Sequence, residues 1–193
     1  MSKHLRLPLL LLLAVCALGG VGVSVGQQPP QARVSPQDIV RAAIDGTEIT
    51  LVYSRPNLKD SRSGETRKIW GGLVPYGQIW RTGANEATLL TTQAPLQFGN
   101  GGATVPAGTY SVFTLPEEGG GAKLIINKQT GQWGTKYDEK QDLVRVDLKK
   151  SSLEKPVDQF TMAIEKNPAG SNGGVLKMTW ETTEYSVPFT IKK

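Results

Sequence analysis

The 193-residue sequence has one histidine and one cysteine, and both, His4 and Cys16, fall near its start. No acidic residue precedes Asp38. Lys3 and Arg6 form a positive n-region, and Leu7 to Leu18 is an apolar run interrupted only by Pro8. Ser24-Val25-Gly26 supplies a small-x-small cleavage site. These features predict a signal peptide over residues 1–26, cleaved near Gly26, and a secreted or periplasmic destination. The run is short for a membrane span, which needs about 20 apolar residues. A lipid anchor at Cys16 fits poorly, because bulky Val15 stands where a small residue should precede the cysteine.

Removal of that segment leaves a chain without histidine or cysteine. Ser-His-Asp and Cys-His nucleophilic catalysis are excluded. So are imidazole- or thiolate-ligated metals and disulfide staples. Carboxylate chemistry, Tyr or Lys acid–base work and oxygen-ligated calcium or magnesium remain open. No catalytic residue, metal site or cofactor is assigned. Charge is equally uninformative about a partner. Taking Lys3 and Arg6 from the 22 basic residues leaves 20 against 17 acidic ones, a net charge of only +3. The charges are interspersed, without the basic stripe expected of a nucleic-acid binder. After cleavage no membrane association is expected either.

Residues 27–35 read as a disordered leader, and 36–193 as one domain. Nearly every apolar segment of that domain has a period of two. Ile49, Leu51 and Tyr53 alternate with polar or opposite-facing residues, as do Val144, Val146 and Leu148, and Phe160, Met162 and Ile164. Leu176, Met178 and Trp180 repeat the pattern, followed by Tyr185, Val187, Phe189 and Ile191. Asp45-Gly46, Glu118–Gly121 and Asn172–Gly174 are turn signals between these runs. The prediction is an all-β fold, a single β-sandwich or barrel-like domain of about nine antiparallel strands. Residues 38–44 fit either a short helix or a strand. Pro188, which lacks a donor, predicts that the last strand lies at an edge.

Two long irregular loops interrupt the strands, residues 54–86 and 128–141, and loops of this length in a compact domain are usually functional or disordered. Lys59 to Thr66 is polar and expected to be mobile. The following stretch sets Trp70, Tyr76 and Trp80 among glycines and must be ordered by packing against other parts of the chain.

Tyr53-Ser-Arg-Pro56, Gly71-Gly-Leu-Val-Pro-Tyr-Gly77, Trp80-Arg-Thr-Gly-Ala-Asn-Glu-Ala-Thr88, Val105-Pro-Ala-Gly-Thr-Tyr-Ser111, Trp133-Gly134 and Trp180-Glu-Thr-Thr-Glu-Tyr-Ser-Val-Pro188 occur in that order. This set resembles the exported bacterial family DUF2911, over roughly residues 38–190. The resemblance implies a secreted or periplasmic β-rich domain without an assigned activity, and it supplies no catalytic residue. The chain departs from the family between Pro56 and Ile69, where extra polar residues, including Asp60–Glu65, stand in place of a shorter basic link.

Candidate ligand-binding residues therefore rest on chemistry. Tyr76 and Trp80 offer flat apolar faces, Arg81 a forked donor, Asn85 a donor and acceptor, and Glu86 an acceptor pair. That mixture suits a small polar ligand or a glycan. A purely structural role is the competing reading, with Arg81 and Glu86 paired to brace the loop. Trp133 and Tyr137 extend the candidate site from the second loop. If the loops meet, Glu86 with Asp138 or Glu139 could form the carboxylate pair of a glycan hydrolase. Calcium at Asp138, Glu139 and Asp142 lacks the alternating ligand spacing of a dedicated loop. The favoured expectation is a non-catalytic module that binds a small polar ligand, a glycan or an envelope protein. A carboxylate-dependent hydrolase and a structural envelope protein are the alternatives, and oligomeric state is left open.

Overall fold

The computed structural model describes residues 33–99, 101–102, 104–167, 170 and 172–192. The expected signal segment lies outside the described residues, as does the leader up to residue 32. The expected all-β class holds. Nine strands run β1 (Gln37–Ile44), β2 (Thr47–Ser54), β3 (Thr88–Thr92), β4 (Leu96–Phe98), β5 (Thr104–Val105), β6 (Gly108–Pro116), β7 (Ala122–Asn127), β8 (Asp142–Lys166) and β9 (Gly173–Ile191). They form one antiparallel sheet of order β1-β2-β3-β6-β7-β8-β9-β4-β5. A 3-10 turn at Glu139–Gln141 is the only helical element among the described residues.

Residues 38–44 resolve as strand because β2 pairs with them along their whole length, from Gln37 opposite Ser54 to Ile44 opposite Thr47. The connecting turn has positive φ at both central residues, Asp45 at 49° and Gly46 at 82°. That is the twist-matched geometry of a two-residue hairpin.

Two long strands curl the sheet around one core. The first part of β8 pairs with β7, and the remainder, from Lys149, pairs with β9. Register shifts between Ser152 and Thr161 bend β8. Opposite them, Glu181 takes φ 54°. The surplus residues lie on β8, whose Ser152 to Thr161 face only Thr179 to Thr183, and the parity of the buried positions of β9 changes across this irregularity. Leu176, Met178 and Trp180 are buried before it, and Tyr185, Val187, Phe189 and Ile191 after it. Both sets join the same core as Leu51, Tyr53, Leu90 and Leu124.

The curl brings the end of β2 onto β8. Asn57 bridges Gln159, and the Tyr53 hydroxyl accepts from the Met162 amide at 3.0 Å. Arg55 fastens this seam, donating from Nε to the Phe160 carbonyl at 3.1 Å, from Nη2 to Thr161 Oγ1 at 2.7 Å and from Nη1 to Asp38 Oδ2 at 3.2 Å.

The expected edge position of β9 is corrected, since it is flanked by β8 and β4. Pro188 is tolerated there because it lies beyond Ser186, the last partner of β9 on β8. On its other side its carbonyl accepts from Gly99, just past the end of β4, at 2.8 Å. The missing donor therefore interrupts no ladder.

Candidate functional site

The loop 54–86 is ordered by the sheet it crosses. Lys59 bridges Thr66, so the polar stretch expected to be mobile is a closed turn in which Asp60 Oδ1 accepts from the Arg62 and Ser63 amides. Leu58, Ile69 and Val74 enter the core. Trp80 then pairs as an extra strand residue with Thr114 of β6, through amide–carbonyl bonds of 2.8 and 2.9 Å.

Its half-buried ring lies nearly parallel to Trp180, with centroids 5.9 Å apart and planes at 17°. Phe160 and Trp70 meet it edge-on at 5.0 and 5.9 Å. Such pairs contribute about 0.5–1.5 kcal/mol each beyond their burial. Trp80 is thus a core residue with one flank exposed.

The run that follows separates into bracing and free groups. Thr82, fully buried, shares a 2.8 Å hydrogen bond with Thr114 Oγ1, and its carbonyl accepts from Thr88 Oγ1 at 2.7 Å. Gly83 has φ 147°, and a Cβ there would stand 2.8 Å from the Ser54 carbonyl oxygen, so no larger residue fits. Asn85, at φ 60°, donates to the Ser35 carbonyl at 3.2 Å. Glu86 pairs with Arg33 at 2.8 Å. The anticipated Arg81–Glu86 brace is therefore replaced. Arg33 was assigned to the leader, yet Arg33, Val34 and Ser35 all bond to the domain, Val34 through its carbonyl to Asn57.

The two long loops meet. Glu86 bridges Trp133, and the Gly134 amide donates to the Asn85 carbonyl at 2.9 Å. Gly134 is the floor beneath Arg81, where an added Cβ would lie 2.5 Å from Arg81 Cδ and 2.8 Å from Arg81 Cβ. The stem of Arg81 is laid down by this contact, but its guanidinium makes no hydrogen bond and no ion pair among the described residues. The other half-buried arginines, Arg55 and Arg67, are both held by the protein.

Arg81, Trp80 and Leu73 are shared by two recesses. The first, of about 310 Å³, is completed by Pro75, Ile79 and Tyr137, among others. The second, of about 240 Å³, is completed by Arg67, Ala84 and Trp180, among others. No carboxylate lines either. A third, shallower recess of about 330 Å³ gathers Asn85, Glu86 and the half-exposed Trp133 with Arg33 and Val34.

The candidate residues thus divide into Trp80, Arg81 and Tyr137 at the first recess and Asn85, Glu86 and Trp133 at the third. Tyr76 lines none of the three; its ring covers Gly71. Arg67, Trp180, Leu73 and Gly134 are the residues that sequence reasoning missed. Trp180 read as core from its period of two, and Arg67 adjoins the polar turn. Only the Trp133-Gly134 pair carried a signal, a glycine beside an aromatic where another side chain must approach closely.

The polar groups near the first recess are largely committed. Tyr137 offers its ring, packed on Phe113 at 4.9 Å, while its hydroxyl donates to Asp142 Oδ2 at 2.6 Å. Burial first, and then that bond, push the Tyr137 hydroxyl up to about 12. Arg145 holds Asp142 and Glu139, each at 2.7 Å, and Asp138 Oδ1 accepts from the Lys140 amide at 3.0 Å. The hydrogen bond from Arg33 holds the Glu86 carboxyl below the usual glutamate range. A general acid for glycan cleavage needs the opposite shift. Among the described residues no cluster of three acids is placed to hold a metal ion.

A single curled antiparallel sheet carrying an aromatic- and arginine-walled cleft between two crossing loops defines the class of this protein. A family model described as a protein of unknown function, DUF2911, matches residues 35–189, and the chain belongs to that family. No curated protein and no solved structure matches it.

Proposed function

We propose that this chain is an exported, non-catalytic binding module that takes a small polar ligand or a sugar into the cleft walled by Trp80, Arg81 and Tyr137. The observation that carries this reading is Arg81, a half-buried arginine whose stem rests on Gly134 while its charged fork has no partner. Buried polar groups are normally satisfied within the fold, and nothing among the described residues holds this half-buried fork, which leaves it available to a ligand. A forked donor beside an apolar wall is the common layout of a small-molecule site, where area comes from the wall and orientation from a few polar groups.

The test is a binding screen of the purified protein against an array of glycans and a panel of small polar metabolites, repeated with Arg81→Gln. At least one ligand should bind the parent protein and be lost from the folded variant. Ligands that bind both proteins equally, or no ligand for either, would return the cleft to a structural role.

A further inference from the structure

The second recess specifies a chemistry, and this inference rests on the cleft being a binding site. We propose that the space between Arg67 and Arg81 seats an anionic oxygen-bearing group, a carboxylate, sulfate or phosphate, carried on a small ligand whose body lies across Leu73 and Trp80.

The lining is made of donors. Arg81 has no hydrogen-bond or ion-pair partner among the described residues. Arg67 is anchored by backbone carbonyls alone, its Nε donating to Leu58 at 3.4 Å and its Nη2 to Asn57. That anchoring fixes the fork and leaves Nη1 without a hydrogen bond among the described residues, and Arg67 makes no ion pair there, its charge being felt only by the nearby Asp60. Trp180, 1% exposed, also lines the recess, and its Nε1 is a buried donor without a hydrogen-bond partner among the described residues. An indole nitrogen can only donate. Trp70 Nε1 is likewise unpartnered but lies outside this lining.

With two arginines and no acid among the described lining residues, the recess is electropositive. An oxyanion offsets both charges, and the guanidinium fork matches its geometry. A neutral sugar would satisfy the hydrogen bonds but leave both charges.

Size limits the ligand further. At about 240 Å³ the recess is smaller than the roughly 300–1,000 Å³ that encloses a whole drug-sized molecule. It fits the charged head. The rest of the molecule then continues over Leu73 and Trp80, the two apolar residues shared with the first recess, toward Pro75 and Ile79. An acidic monosaccharide or a small organic acid with a ring has this form.

The experiment is calorimetric titration of the purified protein with glucuronate, inorganic phosphate, inorganic sulfate and, as the neutral counterpart, glucose, at low and at physiological ionic strength. Glucuronate or one of the inorganic anions should bind, more weakly as salt rises, and glucose should not compete. Glucuronate alone identifies a carboxylate ligand; phosphate or sulfate binding identifies the other source, and each supports the proposal. Arg81→Gln should weaken binding about 10- to 100-fold, as expected for a charge-assisted contact. Arg81→Lys, which keeps the charge but not the fork, should fall between. Arg67→Lys, which keeps the charge but not the fork, should weaken it about three- to tenfold, and provides a test that leaves Arg81 intact.

Glucose binding as tightly as glucuronate, or no binding of any of the three anions at millimolar concentration, overturns the proposal. The broader reading fails separately. A neutral ligand from the screen that depends on Arg81 would keep the module and sink the anion.

Discussion

Gly134→Ala is the substitution that links the site to the fold most tightly. The new Cβ would meet Arg81 Cδ at 2.5 Å, Arg81 Cβ at 2.8 Å and the Asn85 carbonyl oxygen at 2.8 Å, separations that real Cβ atoms essentially never show. Moving Arg81 relieves only the first two. The third is backbone, and it is also the acceptor of the Gly134 amide at 2.9 Å. Overpacking of this kind costs about 1–3 kcal/mol, and weakening one hydrogen bond adds about 0.5–1.5 kcal/mol. A loss of roughly 2–4 kcal/mol is expected, together with displacement of the Arg81 fork.

Urea denaturation should show the loss as a midpoint lower by about 1 M or more, with slopes of about 1–3 kcal/mol/M. Binding to whichever ligand depends on Arg81 should fall in the same variant under conditions where it remains folded. Gly119→Ala is the control, since a Cβ there meets nothing within 4 Å and should leave stability unchanged or slightly raised. If Gly134→Ala matches the parent protein in both midpoint and binding, the account of how Arg81 is held is wrong.

Thr82→Val should cost about 1–3 kcal/mol, because it removes a partner of the fully buried Thr114 hydroxyl; equilibrium unfolding measures it. Trp180→Ala should cost about 3–5 kcal/mol, since its buried ring stacks on Trp80 and meets Phe160 edge-on at 5.8 Å. Tyr137 gives a pH dependence. Its folded pKa is raised from 10.0 to about 12, so the neutral hydroxyl stabilises fully below pH 10, and that contribution disappears as pH climbs through 12. Urea midpoints of Tyr137→Phe should therefore fall less between pH 10 and 12 than those of the parent protein, and Tyr185, raised to about 12 by burial, and Tyr53, also raised by burial, contribute to the decline that remains.

The strands were legible because half-burial writes itself as alternation, and the alternation of β2, β8 and β9 names their buried faces residue by residue. Even the irregularity at Glu181 was present in the sequence as a change of parity, from even-numbered apolar positions through Trp180 to odd-numbered ones from Tyr185. Pro188 misled because a missing donor marks a place without a ladder bond, and such a place also exists within an interior strand where one partner has ended.

The candidate site was legible as a region but not as contacts. Trp80 and Arg81 are adjacent in sequence, whereas Arg67 comes from earlier in the same loop and Gly134 and Trp180 reach the cleft from two other segments. Periodicity carries no information about such encounters. Glu86 found Arg33 rather than Arg81 because a residue read as disordered leader lies against the loop. Position near a terminus is a poor guide to whether a side chain finds a partner.

The central claim is that Arg81 serves a ligand and not the fold, and paired urea denaturation of Arg81→Gln and Arg55→Gln tests it most directly. Arg55 makes three hydrogen bonds across the seam of the sheet, so its loss should cost about 1.5–3 kcal/mol. Arg81→Gln should shift stability by less than about 1 kcal/mol while abolishing retention of the ligand found for the parent protein. A destabilisation by Arg81→Gln as large as that of Arg55→Gln, with binding intact, would contradict the account.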